Sequence, residues 1–124
     1  MTKRLFLAAC AAALMSTSAM FAADTLPKTV IHVISVKWKA DATPAQIDAA
    51  IKGAEALPSA YRGIVRVWTK PIKKQLPEGY SHVIVMEFAT EDALKNYADS
   101  DAQKKWYEAY MPIREESRTS DITN

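Results

Sequence analysis

Residues 29–48 read TVIHVISVKWKADATPAQID, and the change of rhythm inside this stretch decides the fold. From Thr29 to Lys39 the chain is rich in β-branched residues and is bounded by Pro27 and Asp41, which predicts a strand. Strand alternation puts Val30, His32, Ile34, Val36 and Trp38 on one face. Ile31, Val33, Ser35, Lys37 and Lys39 fall on the other. Thr43 then offers an N-cap, Pro44 suits the first helical position, and Gln46 completes a capping box. A helix is expected from there, with Ile47, Ile51 and Ala54 on one side and a stop by Pro58.

Downstream, Gly63 leads into a second strand, Ile64 to Lys70, and Pro71 to Gly79 forms a loop ending in a Pro-Glu-Gly turn. Ser81 to Ala89 is a third strand, with His82, Ile84, Met86 and Phe88 opposite Val83, Val85 and Glu87. Thr90 caps a second helix whose first turn holds Glu91 and Asp92, with Leu94 and Tyr97 on its apolar side. That helix is expected to break near Asp99 and restart from Ser100, carrying Trp106 and Tyr110 to about Pro112. Arg118 to Thr123 reads as a weak last strand. The order β-α-β-β-α-β predicts an α+β, ferredoxin-like sandwich: a four-stranded antiparallel sheet with both helices on one face. Trp38, Trp68 and Trp106 are expected in the core or in pocket walls. The uncovered face would carry Ile31, Val33, Val65, Val67, Val83 and Val85, a patch that a small monomer rarely exposes. Two sheets packed back to back would cover it, so a homodimer is expected.

The N-terminus reads differently. Lys3 and Arg4 precede an apolar run from Leu5 to Met15, too short to span a bilayer core of about 30 Å as a helix. This pattern predicts a secretory signal peptide over residues 1–23, with a domain over 24–124 released into the periplasm or beyond and free of the membrane. Leu7-Ala8-Ala9-Cys10 also resembles a lipoprotein signal, which would instead leave the protein lipid-anchored through Cys10. Cys10 is the only cysteine, so ordinary cleavage leaves no thiol for a disulfide, a nucleophile or a metal site. Loss of Lys3 and Arg4 would also leave 14 basic residues against the 14 acidic ones. A neutral chain with interspersed charge does not suit a nucleic-acid partner.

His32 and His82 are the only histidines, and both fall on the helix-covered face. Their strands are expected to lie adjacent and parallel, which would make the two rings neighbours at one end of a pocket. Such imidazoles could carry general acid–base chemistry, or could be hydrogen-bonded core residues. No third ligand stands at a recognisable spacing, so no metal and no cofactor is expected. Tyr97 belongs either to the core or to the pocket. Ser100-Asp101-Ala102-Gln103 spells a capping box, so Gln103 could bond the Ser100 backbone or line the same pocket.

From IHVISVKWK to TSDIT the chain resembles the stress-responsive dimeric α/β-barrel (Dabb) family. IHVISVKWKADATPAQID is similar to the family's opening strand and Thr-Pro capped helix, and EGYSHVIVMEF to its third strand. EDALKNYADSDAQKKW resembles its second-helix segment, with a tyrosine before a break, and SDI its closing strand. The resemblance implies a homodimer with a cavity between each sheet and its helices. Some relatives are stress-induced proteins without an assigned reaction. One plant member is a polyketide cyclase with a histidine–tyrosine acid–base pair; its tyrosine corresponds to Tyr97, and its catalytic histidine to Gln103. The family's strand histidines correspond to His32 and His82. The expected function is therefore an exported protein that binds a small apolar or aromatic ligand between sheet and helices, through His32, Trp38, His82, Tyr97 and Gln103. The alternative is a small acid–base enzyme of cyclase, lyase or cofactor-free monooxygenase type, with His32, His82 and Tyr97 as candidate catalytic residues.

Overall fold

A computed structural model describes residues 28–73 and 75–124. The expected signal peptide, with Cys10, lies outside the described residues. The elements run β1 (Val30–Trp38), α1 (Pro44–Glu55), a short α2 (Leu57–Ala60), β2 (Ile64–Trp68), β3 (His82–Phe88), α3 (Glu91–Tyr97), α4 (Asp101–Tyr110) and β4 (Arg114–Thr123). The strands form one sheet in the order β2-β3-β1-β4, and every neighbouring pair is antiparallel. This is the expected ferredoxin-like sheet.

Sequence chemistry sets the helix ends. Thr43 Oγ1 accepts the Gln46 N–H at 3.2 Å, and Gln46 Oε1 accepts the Thr43 N–H at 2.9 Å. Thr90 Oγ1 caps α3 through the Ala93 N–H at 3.0 Å, and Ser100 Oγ caps α4 through the Gln103 N–H at 3.2 Å. Between α3 and α4, Asp99 takes a left-handed φ of 62°. Gln103 Oε1 accepts the Asp99 N–H at 2.8 Å, so its carboxamide holds this break instead of returning to Ser100.

The core is the face that the alternation predicted. Val30, Ile34 and Val36 of β1 and Ile84, Met86 and Phe88 of β3 are buried with Ala50, Ala54, Trp106 and Tyr110. Trp106 stacks on Tyr110 at 4.4 Å and donates its indole N–H to the Ala50 carbonyl at 2.9 Å. Gly53 allows that approach, because a Cβ there would stand 3.0 Å from Trp106 Cδ1.

Three expectations need correction. β1 and β3 are antiparallel, with His32 opposite Met86 and His82 opposite Val36, so the two histidines are not neighbours. A bulge between Ile64 and Arg66 advances β2 by one residue. Val67 therefore pairs with Met86 and packs on the core, while Trp68 pairs with Val85 on the open face and is 46% exposed. Had strict alternation continued, Arg66 would have followed Ile64 into the core, where an unpaired guanidinium is costly; the bulge turns it out to Glu87 at 2.5 Å. β4 also begins at Arg114, four residues before the expected start, because pairing with β1 supplies the order that its polar sequence lacks.

Candidate functional site

β1 and β4 form the floor of a cavity of about 210 Å³, and α3 and α4 form its roof. His32, Tyr97 and Gln103 line it, together with Tyr107, Tyr110 and Arg114. Three of the five expected ligand residues thus share one cavity. Trp38 and His82 do not line it.

His32 faces Asp121 across the β1–β4 register, and its Nδ1 lies 2.5 Å from Asp121 Oδ1. A carboxylate only accepts, so Nδ1 carries a proton, and in the neutral ring Nε2 is left as an acceptor. The ring also stands edge-on to Phe88 at 5.8 Å. Such a pairing orients an imidazole in the manner of an acid–base dyad.

Tyr97 is 3% exposed and packs against Phe88 and Tyr61, with ring centroids 5.3 and 5.5 Å away. Its hydroxyl is buried with no hydrogen-bond partner among the described residues. Burial, and secondarily the neighbouring Tyr107, pushes its pKa well above the ordinary phenol value, so the group stays neutral and can donate. Burial and the nearby Tyr110 likewise raise Tyr107. The Tyr110 hydroxyl and Arg114 Nε are also buried without partners.

His82 occupies the far end of the sheet, four positions along β1 from His32, or about 13 Å at strand spacing. The Trp38 indole N–H donates to its Nδ1 at 2.8 Å, and Ser81 Oγ lies 2.9 Å from the same atom. Because an indole can only donate, Nδ1 must hold a lone pair, which fixes the Nε2–H tautomer. Trp38 stands edge-on to both His82 at 5.5 Å and Tyr110 at 5.9 Å.

Sequence reading missed Asp121 and Arg114. The SDI segment contains Asp121, but its pairing with His32 depends on cross-strand register. Arg114 fell ahead of the expected last strand. Among the described residues no three histidine, cysteine or carboxylate groups converge as a metal site would need.

The βαββαβ order, the antiparallel sheet and a cavity under the second pair of helices define a ferredoxin-like α+β domain. Residues 30–124 match the stress responsive A/B barrel domain, and the chain belongs to that family. A hydroxynitrile lyase from Passiflora edulis has a similar structure, with a TM-score of 0.70, 16% identity, and 80% of this chain and 95% of that one covered. A dimeric ferredoxin-like protein of unknown function from Thermobifida fusca gives a TM-score of 0.66 at 16% identity, covering 78% and 92% of the two chains. A Dabb family protein from Mesorhizobium loti gives 0.62 at 20% identity, covering 77% and 95%. At such identities the likeness shows the shared fold. No curated protein matches the chain.

Proposed function

We propose that this protein binds a small molecule in the cavity between its sheet and α3–α4, as a homodimer and after export. The observation that carries this reading is the cavity itself, about 210 Å³ and lined by His32, Tyr97 and Gln103 together with Tyr107, Tyr110 and Arg114. The volume suits one ring with a short substituent, since a cavity of about 150 Å³ accommodates benzene.

The homodimer rests on the open sheet face. Ile31, Val33, Val83 and Val85 lie there beside Trp68, and Ile122 is 61% exposed. A relative of the same fold from Thermobifida fusca is described as dimeric. Export rests on residues 1–23, with the mature domain beginning near Ala23 or Asp24 and working in the periplasm or outside the cell.

A second reading is favoured by the His32–Asp121 pair. An imidazole held by a carboxylate on Nδ1 can take a proton at Nε2, the general-base step that a lyase requires. Fold likeness to a hydroxynitrile lyase is consistent with that chemistry. Aldol-type cyclisation is not expected, because Gln103 cannot titrate and its carboxamide is engaged at Asp99.

Native mass spectrometry of protein purified from its own cells tests all parts together. The expected result is a dimer with a retained small mass on chains lacking residues 1–23. A monomer would refute the assembly, and diacylglycerol on Cys10 would refute free export. Failure of any aromatic probe to bind would refute the cavity reading. Val85→Asp should convert the dimer into monomer or aggregate.

A further inference from the structure

The cavity wall contains one cation. Arg114, at the start of β4, is half-buried with its guanidinium 5.6 Å above the Tyr110 ring. Its Nη1 donates to Ser117 Oγ at 3.2 Å, whereas its Nε is buried with no partner. Arg66 pairs with Glu87, and Arg118 with Glu78 and Glu116. Among the described residues no carboxylate pairs with Arg114. Removing a guanidinium partly from water without an anion is unfavourable, and guanidinium geometry matches a planar carboxylate. Of the four buried side-chain donors without a partner among the described residues, three, Arg114 Nε and the hydroxyls of Tyr97 and Tyr110, belong to residues lining this cavity; the fourth, the Tyr80 hydroxyl, lies elsewhere, near Glu116.

Resting on the cavity reading above, we propose that the natural ligand is a small aromatic carboxylate, with its carboxylate group at Arg114 and its ring against the aromatic side chains of α4. Trp106, Tyr107 and Tyr110 supply that aromatic wall. His32 stands elsewhere on the cavity wall, paired through β1 six positions from the Arg114 register, so the carboxylate and the acid–base dyad address different ends of the ligand. Arg114 thereby selects ligands by charge.

Calorimetric titration of the full mature protein with benzoate and with benzamide, its neutral counterpart, tests the assignment. Benzoate is expected to bind about ten-fold or more tightly than benzamide. Arg114→Gln should erase that preference by weakening benzoate alone, and Arg114→Lys should restore part of it. Circular dichroism establishes that each variant is folded. If Arg114→Gln does not fold, the Arg114→Lys ratio decides, with an unchanged benzoate preference counting against bidentate recognition. Equal binding of the two probes to the wild type, or benzoate binding indifferent to Arg114→Gln, would overturn the carboxylate assignment and leave the cavity reading intact. Binding of neither probe would overturn both.

Discussion

The two ends of one sheet face treat the same residue in opposite ways. His32 and His82 sit on adjacent strands, on the same covered side, yet antiparallel pairing separates them. At one end the cross-strand neighbour is Asp121, which fixes a proton on Nδ1 of a ring that lines the cavity. At the other end the partner is the Trp38 indole, which claims Nδ1 as an acceptor. Opposite tautomers follow from the chemistry of the partner. A histidine's availability for chemistry is set by what stands across the strand from it.

The strongest way to break this comparison is His82→Ala. It leaves the Trp38 N–H without its acceptor in a part-buried site and should destabilise the fold by about 2 kcal/mol, lowering Tm by on the order of 10 °C. Ligand affinity should hold. Thermal denaturation followed by circular dichroism checks it, and a negligible change would make His82 a second functional histidine.

Tyr97→Phe should act with the other sign. Removing an unpartnered buried hydroxyl should leave stability unchanged or raise it by about 1 kcal/mol, while ligand binding weakens. The pH dependence follows from its raised pKa. Above about pH 10 the unfolded chain releases the phenolic proton and the folded chain retains it, so wild-type stability falls as pH rises. That alkaline fall should be shallower in Tyr97→Phe, as measured by denaturant titration at several pH values. An identical slope would place the hydroxyl in water.

The smallest stability effect belongs to His32→Gln. Its partner Asp121 is about half open to solvent, so the change should stay within about 0.5 kcal/mol. Ligand affinity or turnover should nevertheless drop, and Asp121→Asn should reproduce part of that drop. A large loss of stability with affinity intact would reverse the roles of the two histidines.

Much of this fold was legible because local chemistry and burial agreed. Thr43, Thr90 and Ser100 cap the helices as their sequences suggest, and β1 and β3 bury the predicted faces. The antiparallel relation of β1 and β3, expected above as parallel, was legible in principle. A helix crossover makes β1 and β2 parallel, so a strand returning beside β2 must oppose both. The bulge in β2 was announced only by Arg66, a charge that period-two reading would have buried. The site was harder to read. Tyr97 and His32 carried recognisable chemistry, but Asp121 and Arg114 gain meaning only from cross-strand register and side-chain reach, which no local pattern encodes.

The β2 bulge also gives the protein an optical gauge. Trp106 is buried and Trp38 is held at His82, whereas Trp68 is turned outward beneath the Arg66 guanidinium at 5.6 Å. In the proposed homodimer, its indole is the one whose surroundings would change as a second sheet covers the open face. Emission from unlabelled protein should therefore shift to shorter wavelength as concentration rises, and Trp68→Phe should silence that shift while leaving the other two fluorophores as an internal reference.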